Sequence, residues 1–224
     1  MPHNKKHLLS KSKYIRGLQC EKALYYDVYC SHLARYDKET LVRFRAGREF
    51  EASYKATFTN GIAIDQLLRR EVDKYPQRTA ELLRDEGEVV LFEAGFLYDD
   101  VLVLADVLRK NADGTYDIFE VKNNSELKEV FRHDAAVQHY VISHCISGIR
   151  SFNIVNNDGN GGFVVTDILA YCQEEEPTIA ANISHFKQLL EGAEPVIAVG
   201  DHCTIPYPCP YIDHCRKQFS STWW

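Results

Sequence analysis

The chain has 224 residues, of which 45% are hydrophobic and 12% aromatic, enough for one large domain with its own core. Its formal net charge of −6 argues against a protein that coats nucleic acid with a uniformly basic surface. No apolar run approaches the length of a membrane span, and the basic N-terminus lacks the apolar segment of a signal peptide. We therefore expect a cytoplasmic protein.

The charge is unevenly distributed along the chain. Residues 1–50 carry 11 Lys and Arg against 5 Asp and Glu, whereas the remaining residues carry 15 against 27. A basic N-terminal region beside an acidic remainder suits a groove that holds phosphates next to a metal site. Lys11, Lys13 and Arg16 are then candidates to contact phosphates. A solvated basic segment would have the same composition, and composition alone does not exclude it.

The first predicted elements are helices. Residues 1–9 are expected to be weakly held. Ser10 or Ser12 can cap a helix that extends toward Cys30. We expect Cys20, which lies on this helix, to be either a small core residue or a metal ligand.

The next helix carries an acid on its apolar face. Asp37 or Thr40 can cap it, and it is predicted over about residues 40–58. Glu51 falls on the stripe of apolar residues along one side, whereas Glu49 points elsewhere. An acid on a buried helix face is either a site residue or the partner of a neighbouring arginine, and both readings stay open.

Pro76 is predicted to interrupt any helix between residues 60 and 87, leaving a short one over about residues 79–85. Three strands follow as an antiparallel meander, over about residues 88–98, 101–109 and 115–122. The strands are rich in Val, Ile, Leu, Phe and Tyr, so they should be buried.

Charged residues interrupt the last two of these strands. Asp106 lies on one, and Glu120 and Lys122 lie two apart on the next, so they share a face. A carboxylate in a buried strand is costly unless it is paired or binds a metal. Asp106, Glu120 and the carbonyl of Val121 are hard oxygen ligands suited to Mg²⁺ or Mn²⁺, and Lys122 can stabilise charge developing on a phosphate. A buried ion pair between Glu120 and Lys122 is the alternative.

The remaining chain alternates helix and strand. A helix is predicted over residues 126–147, with Gln138 and Tyr140 near its middle. Two strands and a helix follow, over residues 152–155, 163–171 and 177–190. The resulting order of helix, three strands, helix and strand predicts an α/β domain with a mixed sheet.

The C-terminal region holds three of the seven cysteines, an odd total that disfavours a disulfide framework in the absence of a signal peptide. Cys203, Cys209 and Cys215 follow a Cys-x5-Cys-x5-Cys pattern laced with prolines. Three sulfurs are one short of a closed metal site, and Cys20 is the most economical fourth ligand. Thiolates select zinc or an iron–sulfur cluster, and two neighbouring histidines keep zinc open. Three unligated thiols in a loop are the plainer alternative.

With these motifs in place, nearly the whole chain resembles the RecB-like PD-(D/E)XK exonucleases that contain an iron–sulfur cluster. That group includes the CRISPR-adaptation exonuclease and the nuclease domains of AddAB-type helicases. The resemblance is carried by Asp106-x13-Glu120-x-Lys122, by the opening segment from Leu9 to Cys20, and by the closing cysteine pattern. It implies a restriction-endonuclease-like α-β-β-β-α-β core in a single nuclease domain over residues 1–224.

The resemblance also implies roles for individual residues. Asp106, Glu120 and Val121 would hold Mg²⁺ or Mn²⁺, and Lys122 would be catalytic. Gln138 would match the family's helical Gln motif, whose tyrosine lies four residues on; Ile142 holds that place here, and Tyr140, two residues on, is the candidate for its role. The resemblance implies a 4Fe–4S cluster in a subregion built from about residues 10–30 and 195–217, with these ligands: Cys20, Cys203, Cys209 and Cys215. Glu51 stands where many relatives have a histidine. We expect it to be a fourth metal ligand, beside Asp106, Glu120 and Val121.

Two functions of different classes follow. The favoured one is a metal-dependent DNA nuclease, an exonuclease on single-stranded ends, with a helicase or a defence system as its partner. The alternative is a catalytically silent protein of the same fold that binds nucleic acid or acts as a scaffold.

Overall fold

A mixed sheet of seven strands organises residues 9–220, the part of the chain that the structure, a computed structural model, describes. The strands are β1 Leu9–Ser10, β2 Ile62–Ala63, β3 Val89–Tyr98, β4 Val101–Lys110, β5 Tyr116–Lys122, β6 Ile149–Asn157 and β7 Phe163–Asp167. The helices are α1 Lys11–Gln19, α2 Glu21–Tyr29, α3 Lys38–Lys55, α4 Ile64–Leu68, α5 Tyr75–Leu83, α6 Glu129–Ser143, α7 Leu169–Glu174, α8 Glu176–Glu191 and α9 Ile212–Ser220. The predicted α/β class with a mixed sheet is confirmed.

The strand order is β2-β3-β4-β5-β6-β7, with β1 paired to β4. The predicted meander is present: β3, β4 and β5 are antiparallel neighbours. The chain then crosses through α6, so β6 lies parallel to β5, as a helical crossover requires. β7 returns antiparallel to β6.

The sheet forks between β4 and β5. Their pairing ends at Val107 opposite Phe119, although both strands continue past these residues. β3 occupies the other edge of β4 along its whole length. The two-residue strand β1, which pairs in parallel with Val101 and Leu102, therefore lies on the edge of β4 that β5 leaves free. α1 starts directly at this fork. Ser10 is its N-cap, because the Ser10 side chain accepts a hydrogen bond from the backbone N–H of Lys13.

Two apolar cores lie on opposite faces of the sheet. The larger packs α6, α8 and the N-terminal helices on residues such as Ile118 of β5. The smaller packs the C-terminal half of α3 on Phe119 and Val121. These β5 residues alternate between the cores because successive strand side chains point to opposite faces. The site residues of β5 thus lie between α6 on one side and α3 on the other.

Four local predictions are corrected. Leu9, expected to be weakly held, is buried in β1; residues 1–8 of that segment lie outside the described residues. The helix expected to continue to Cys30 is two helices, because Cys20 between them has extended backbone, with φ −165° and ψ 115°. Pro76 starts α5 rather than interrupting it, since the first turn of a helix tolerates proline. The strand predicted over residues 163–171 ends at Asp167, and α7 follows.

Within the part of the chain that the structure describes, no helix has both the length and the apolar character to cross a membrane.

Gly17 fixes how closely α1 approaches the rest of the domain. A Cβ atom there would lie 2.7 to 2.9 Å from three ring atoms of Phe186, a buried side chain of α8. We therefore expect Gly17→Ala to lower the free energy of unfolding by about 1–3 kcal/mol through overpacking, although alanine is the better helix former by about 1 kcal/mol. Urea denaturation measures the change.

Gly47 is the matched control for this prediction. It also lies within a helix, α3, but a Cβ atom there would meet no described atom within 4 Å outside its own turns of helix. Gly47→Ala should raise the free energy of unfolding by up to about 1 kcal/mol. The same sign for both variants would contradict the described packing of α1 on α8.

Candidate functional site

Three carboxylates from three elements meet on the α3 side of the sheet. Oxygen atoms of Glu51 on α3, Glu93 on β3 and Asp106 on β4 all lie within 4.8 Å of one another. Opposite ligands of one Mg²⁺ at 2.0–2.1 Å are about 4.2 Å apart, so side-chain shifts of about 0.6 Å at most would let the three oxygens bind a single ion. We call these three residues the carboxylate cluster.

A local irregularity turns Glu93 and Asp106 toward α3. Glu93 has left-handed backbone, with φ 55°, inside β3, a conformation that costs a non-glycine residue on the order of 1 kcal/mol or more. Leu91 and Ala94, three residues apart, both face the larger core, so the strand alternation slips between them. The pairs that flank this point, Phe92–Val107 and Ala94–Ala105, place Glu93 opposite Asp106.

Lys55 is the cation nearest to the carboxylate cluster. Its ammonium group donates to Glu51 at 2.5 Å, one helical turn away, and to Glu93 at 2.5 Å. Burial would lower the pKa of Lys55, but these two carboxylates outweigh it and raise the pKa above its usual value. One ammonium group is thus shared by two of the three carboxyl groups, which leaves the third without a directly bonded cation among the described residues.

The carboxylates themselves are electrostatically strained. Burial raises the pKa of Asp106 well above its usual value, and the neighbouring charge of Glu120 raises it further. Burial also raises the pKa of Glu93, against the opposing effect of Lys55. Groups that resist ionisation in this way gain most from a cation, and hard oxygen donors are the ligands of Mg²⁺ and Mn²⁺.

A second group of charges surrounds Glu120 on the α6 side. Glu120 accepts from Lys122 at 2.5 Å, from Lys11 of α1 at 2.7 Å and from the Gln138 amide of α6 at 2.5 Å. Asp134 of α6 pairs with Lys122 and lies 3.6 Å from Lys11. We call these five residues the lysine cluster.

The charges of the lysine cluster stabilise one another. Burial alone would raise the pKa of Glu120, but Lys11 and Lys122 outweigh it and hold the pKa well below its usual value. Burial would lower the pKa of both lysines, and Asp134 and Glu120 reverse that effect, so each pKa lies above its usual value. Glu120 is therefore ionised and both lysines are protonated at neutral pH.

Asp106 joins the two clusters across the fork. Its carboxylate accepts from the backbone N–H of Val121 at 2.8 Å, in place of the strand pairing that ends at Val107. Val121 separates Glu120 from Lys122 on β5. The fork thus brings the backbone of Val121 and the acid of β4 together between the carboxylate cluster and the lysine cluster.

The predicted site residues are only partly brought together. Glu51 and Asp106 meet, but their third partner is Glu93, and Glu120 is instead held by two lysines. Gln138 contacts Glu120, and its buried Oε1 has no hydrogen-bond partner among the residues that the structure describes. Tyr140 does not join the site, because a helix turns by about 200° over two residues; its ring packs on Tyr98 and His144.

Three contributions to the site were not predicted from the sequence. Glu93 interrupts an apolar strand just as Asp106 does, and that signal was available. Asp134 lies one helical turn before Gln138, so it shares the face that meets Glu120. Lys11 was expected to contact phosphates on a basic surface, and nothing local indicates that it reaches a residue 109 positions away. Arg16, expected in the same role, pairs with Asp27 at 3.3 Å.

The four predicted cysteines line one small cavity where the chain ends meet. Burial raises the pKa of Cys209 to about 11 and also raises the pKa of Cys20 and Cys215, with neighbouring thiols adding to each. Among the residues described, no three of these sulfurs lie within 4.8 Å of one another. Four convergent thiols in an apolar cavity fit a thiolate-bound centre, whose binding would deprotonate them.

Hydrogen bonds tie the cysteine loop to α1. The side-chain amide of Gln19, the last residue of α1, donates to the carbonyls of His202 at 2.8 Å and Tyr207 at 2.7 Å. The loop closes on itself, because the Cys209 N–H donates to the Cys203 carbonyl at 2.8 Å. The cysteines therefore hold one end of α1, while Lys11 at its other end contacts Glu120.

Comparison with known protein families and with curated proteins finds no match. Among solved structures, the chain is similar to the crystal structure of SSO0001, with 13% sequence identity over 69% of this chain and 88% of that one. The TM-score is 0.29, and a similarity of this size supports no argument about function.

The carboxylate cluster predicts which residues control cation affinity. Glu93→Gln and Glu51→Gln should each weaken Mn²⁺ binding by about tenfold or more, as loss of a group near a metal does. Electron paramagnetic resonance of free Mn²⁺ during a titration measures the affinity. Glu49→Gln is the matched control, because Glu49 is an exposed acid on another face of the same helix. Equally small effects from all three variants would assign Glu51 and Glu93 to Lys55 alone.

Proposed function

We propose that the chain is a metal-dependent nuclease of the PD-(D/E)XK class that hydrolyses DNA from single-stranded ends. The observation that carries the proposal is the position of Asp106, which lies between a group of carboxylates and a Glu120–Lys122 pair at the fork of the sheet. The order of α3, three antiparallel strands, α6 and parallel β6 supports it, because this is the α-β-β-β-α-β order of that class.

The residues of the carboxylate cluster are proposed to hold Mg²⁺ or Mn²⁺, with Glu120 and the carbonyl of Val121 at its border. A bound ion would supply Lewis acidity toward a phosphodiester. Hydrolysis adds water across one P–O bond, leaving a phosphate monoester on one fragment and a hydroxyl group on the other.

The lysine cluster supplies positive charge where the phosphate gains negative charge. Lys122 and Lys11 both direct ammonium groups at Glu120 and are protonated at neutral pH. Glu120 and Asp134 orient them, and Gln138 fixes the second oxygen of Glu120. Fixed cations in a partly buried site stabilise a transition state without reorganising, and this is the role proposed for the two lysines.

We also propose that Cys20, Cys203, Cys209 and Cys215 bind a 4Fe–4S cluster. An iron–sulfur cluster is proposed ahead of zinc because of the family resemblance of the cysteine pattern and not because of the spacing of the sulfurs. A cubane cluster takes four thiolate ligands, the number that line this cavity. Zinc stays the alternative, and the centre is proposed to be structural, because the cysteines lie at the meeting point of the two chain ends.

The alternative is a protein of the same fold that does not cleave nucleic acid. Lys55 bridges Glu51 and Glu93, and this pairing offsets part of their charge without any metal. A catalytically silent nucleic-acid-binding or scaffold protein would need nothing more. A helicase or defence-system partner stays a prediction under either function.

The nuclease proposal predicts cleavage of end-labelled single-stranded DNA with Mn²⁺ and none with EDTA. Asp106→Asn should abolish cleavage while the melting temperature stays near that of the parent. Lys122→Ala should slow cleavage on the order of 10²-fold, because it removes one transition-state stabiliser. Glu49→Gln should cleave like the parent. Cleavage by Asp106→Asn at the parental rate would refute the site, and no cleavage by the parent would favour the silent alternative.

The cluster proposal predicts brown protein after anaerobic purification, with about four iron atoms per chain. Cys20→Ala should lose iron as fully as Cys209→Ala. Cys172→Ala is the control, because this cysteine is buried in the larger core, away from the other four. Stoichiometric zinc in colourless protein would refute the iron–sulfur proposal but leave the assignment of the four ligands standing. Full iron in Cys20→Ala would remove Cys20 from the centre.

A further inference from the structure

The N-terminal half of α3, together with Tyr36 just before it, exposes a group of large apolar side chains. Tyr36, Leu41, Val42 and Phe44 are 45%, 52%, 65% and 43% exposed, respectively. The rings of Tyr36 and Phe44 pack edge to face, with centroids 5.7 Å apart. Exposed apolar side chains that cluster in this way mark interaction sites more often than isolated ones do. We call these four residues the aromatic face.

Positive charge surrounds the aromatic face. Five cations and two acids lie between residues 35 and 48, and the cations are Arg35, Lys38, Arg43, Arg45 and Arg48. All five are exposed. This excess contrasts with the net negative charge of the chain, so the face is complementary to a polyanion rather than to an average protein surface.

The aromatic face is continuous with the candidate site. Phe44 and Glu51 are seven residues apart on one helix, so they share a side and are separated by about 10 Å along the axis. The guanidinium of Arg43 lies over the ring of Tyr207, 5.3 Å from its centroid. Burial raises the pKa of Tyr207, and Lys122 and Asp134 also affect that pKa, so this ring lies close to the lysine cluster.

We propose that the aromatic face binds the bases of single-stranded nucleic acid as the strand enters the site, with the ring of Phe44 stacking on one base, Tyr36 supporting that ring edge to face, and the surrounding arginines contacting phosphates. Aromatic side chains in a basic groove are the usual means of holding single strands without sequence preference. A spacing of about 10 Å corresponds to roughly three nucleotides of a stacked strand, at about 3.4 Å each. Bases of a duplex are already stacked on each other, so the face selects single strands.

This inference deepens the proposed function and rests on it for the direction of the strand, but binding can be tested without cleavage. The probe is a 20-nucleotide single-stranded DNA carrying one 2-aminopurine, moved through the first six positions from either end. Binding is followed in EDTA. Stacking quenches 2-aminopurine fluorescence, so we expect the strongest quenching within about four nucleotides of one end.

Four substitutions separate stacking from other roles. Phe44→Ala should raise the Kd for the single strand by about 5- to 100-fold, the range expected for one base–aromatic contact, and should remove the quenching. Phe44→Leu keeps an apolar side chain but no ring and should lose as much. Phe44→Trp should retain binding. Leu67→Ala, at another exposed apolar position, should bind like the parent.

The possible outcomes distinguish single-stranded DNA, duplex DNA and a second copy of the chain as the molecule that binds the aromatic face. Parental affinity in Phe44→Leu would overturn stacking. Equal affinity for a blunt duplex, with the same loss in Phe44→Ala, would overturn single-strand selection. A dimer of the parent that Phe44→Ala dissociates, without any change in DNA affinity, would assign the face to a second copy of the chain. If the protein never cleaves DNA but shows the quenching and the loss of affinity in Phe44→Ala and Phe44→Leu, the nuclease proposal is refuted and the binding proposal stands.

Discussion

The divergence of β4 and β5 beyond Val107 and Phe119 is the constraint on which the candidate site depends. A continuous ladder would use the backbone groups of both strands and leave no room between them. The fork lets the Asp106 carboxylate take the N–H of Val121, so a side chain replaces a strand hydrogen bond. It also leaves one edge of β4 for β1, which brings the start of α1 to Glu120. The carboxylate cluster and the lysine cluster therefore meet at one point of the sheet.

The two clusters handle buried charge differently. Around Glu120, two ammonium groups, two carboxylates and an amide satisfy one another, and isolated charges in such a place would be costly. Around Asp106, one lysine pairs with two of the three acids, Glu51 and Glu93, whereas Asp106 has no ion pair of its own among the described residues. An unbalanced acidic group beside a balanced pair is hard to justify by stability alone, because replacing the acids with apolar residues would cost less. The proposed binding of a cation would give the arrangement a physical reason.

The cysteine region and the sheet are mechanically connected through α1. Gln19 and Cys20 lie at one end of this nine-residue helix and Lys11 at the other. Gly17 allows α1 to approach Phe186 closely, so the helix is fixed along its length as well as at its ends. A centre bound by the cysteines would then stabilise the position of Lys11 as well as the junction of the two chain ends. Structure at the C-terminal end of α1 would thereby support the placement of charge at its N-terminal end.

The α/β class and the meander of three strands follow from the pattern of residues alone, because buried strands have a period of two. The same pattern marks Asp106 as a candidate, since an acid in a buried strand is conspicuous, and it puts Glu51 on an inward helix face. The position of Glu93 as the third acid becomes visible only in the folded chain, since it depends on left-handed backbone and a slip in alternation that periodicity cannot express. Only the tertiary structure decided that Lys11 contacts Glu120, because the pairing of a two-residue strand at the edge of β4 is a long-range event without a local signal.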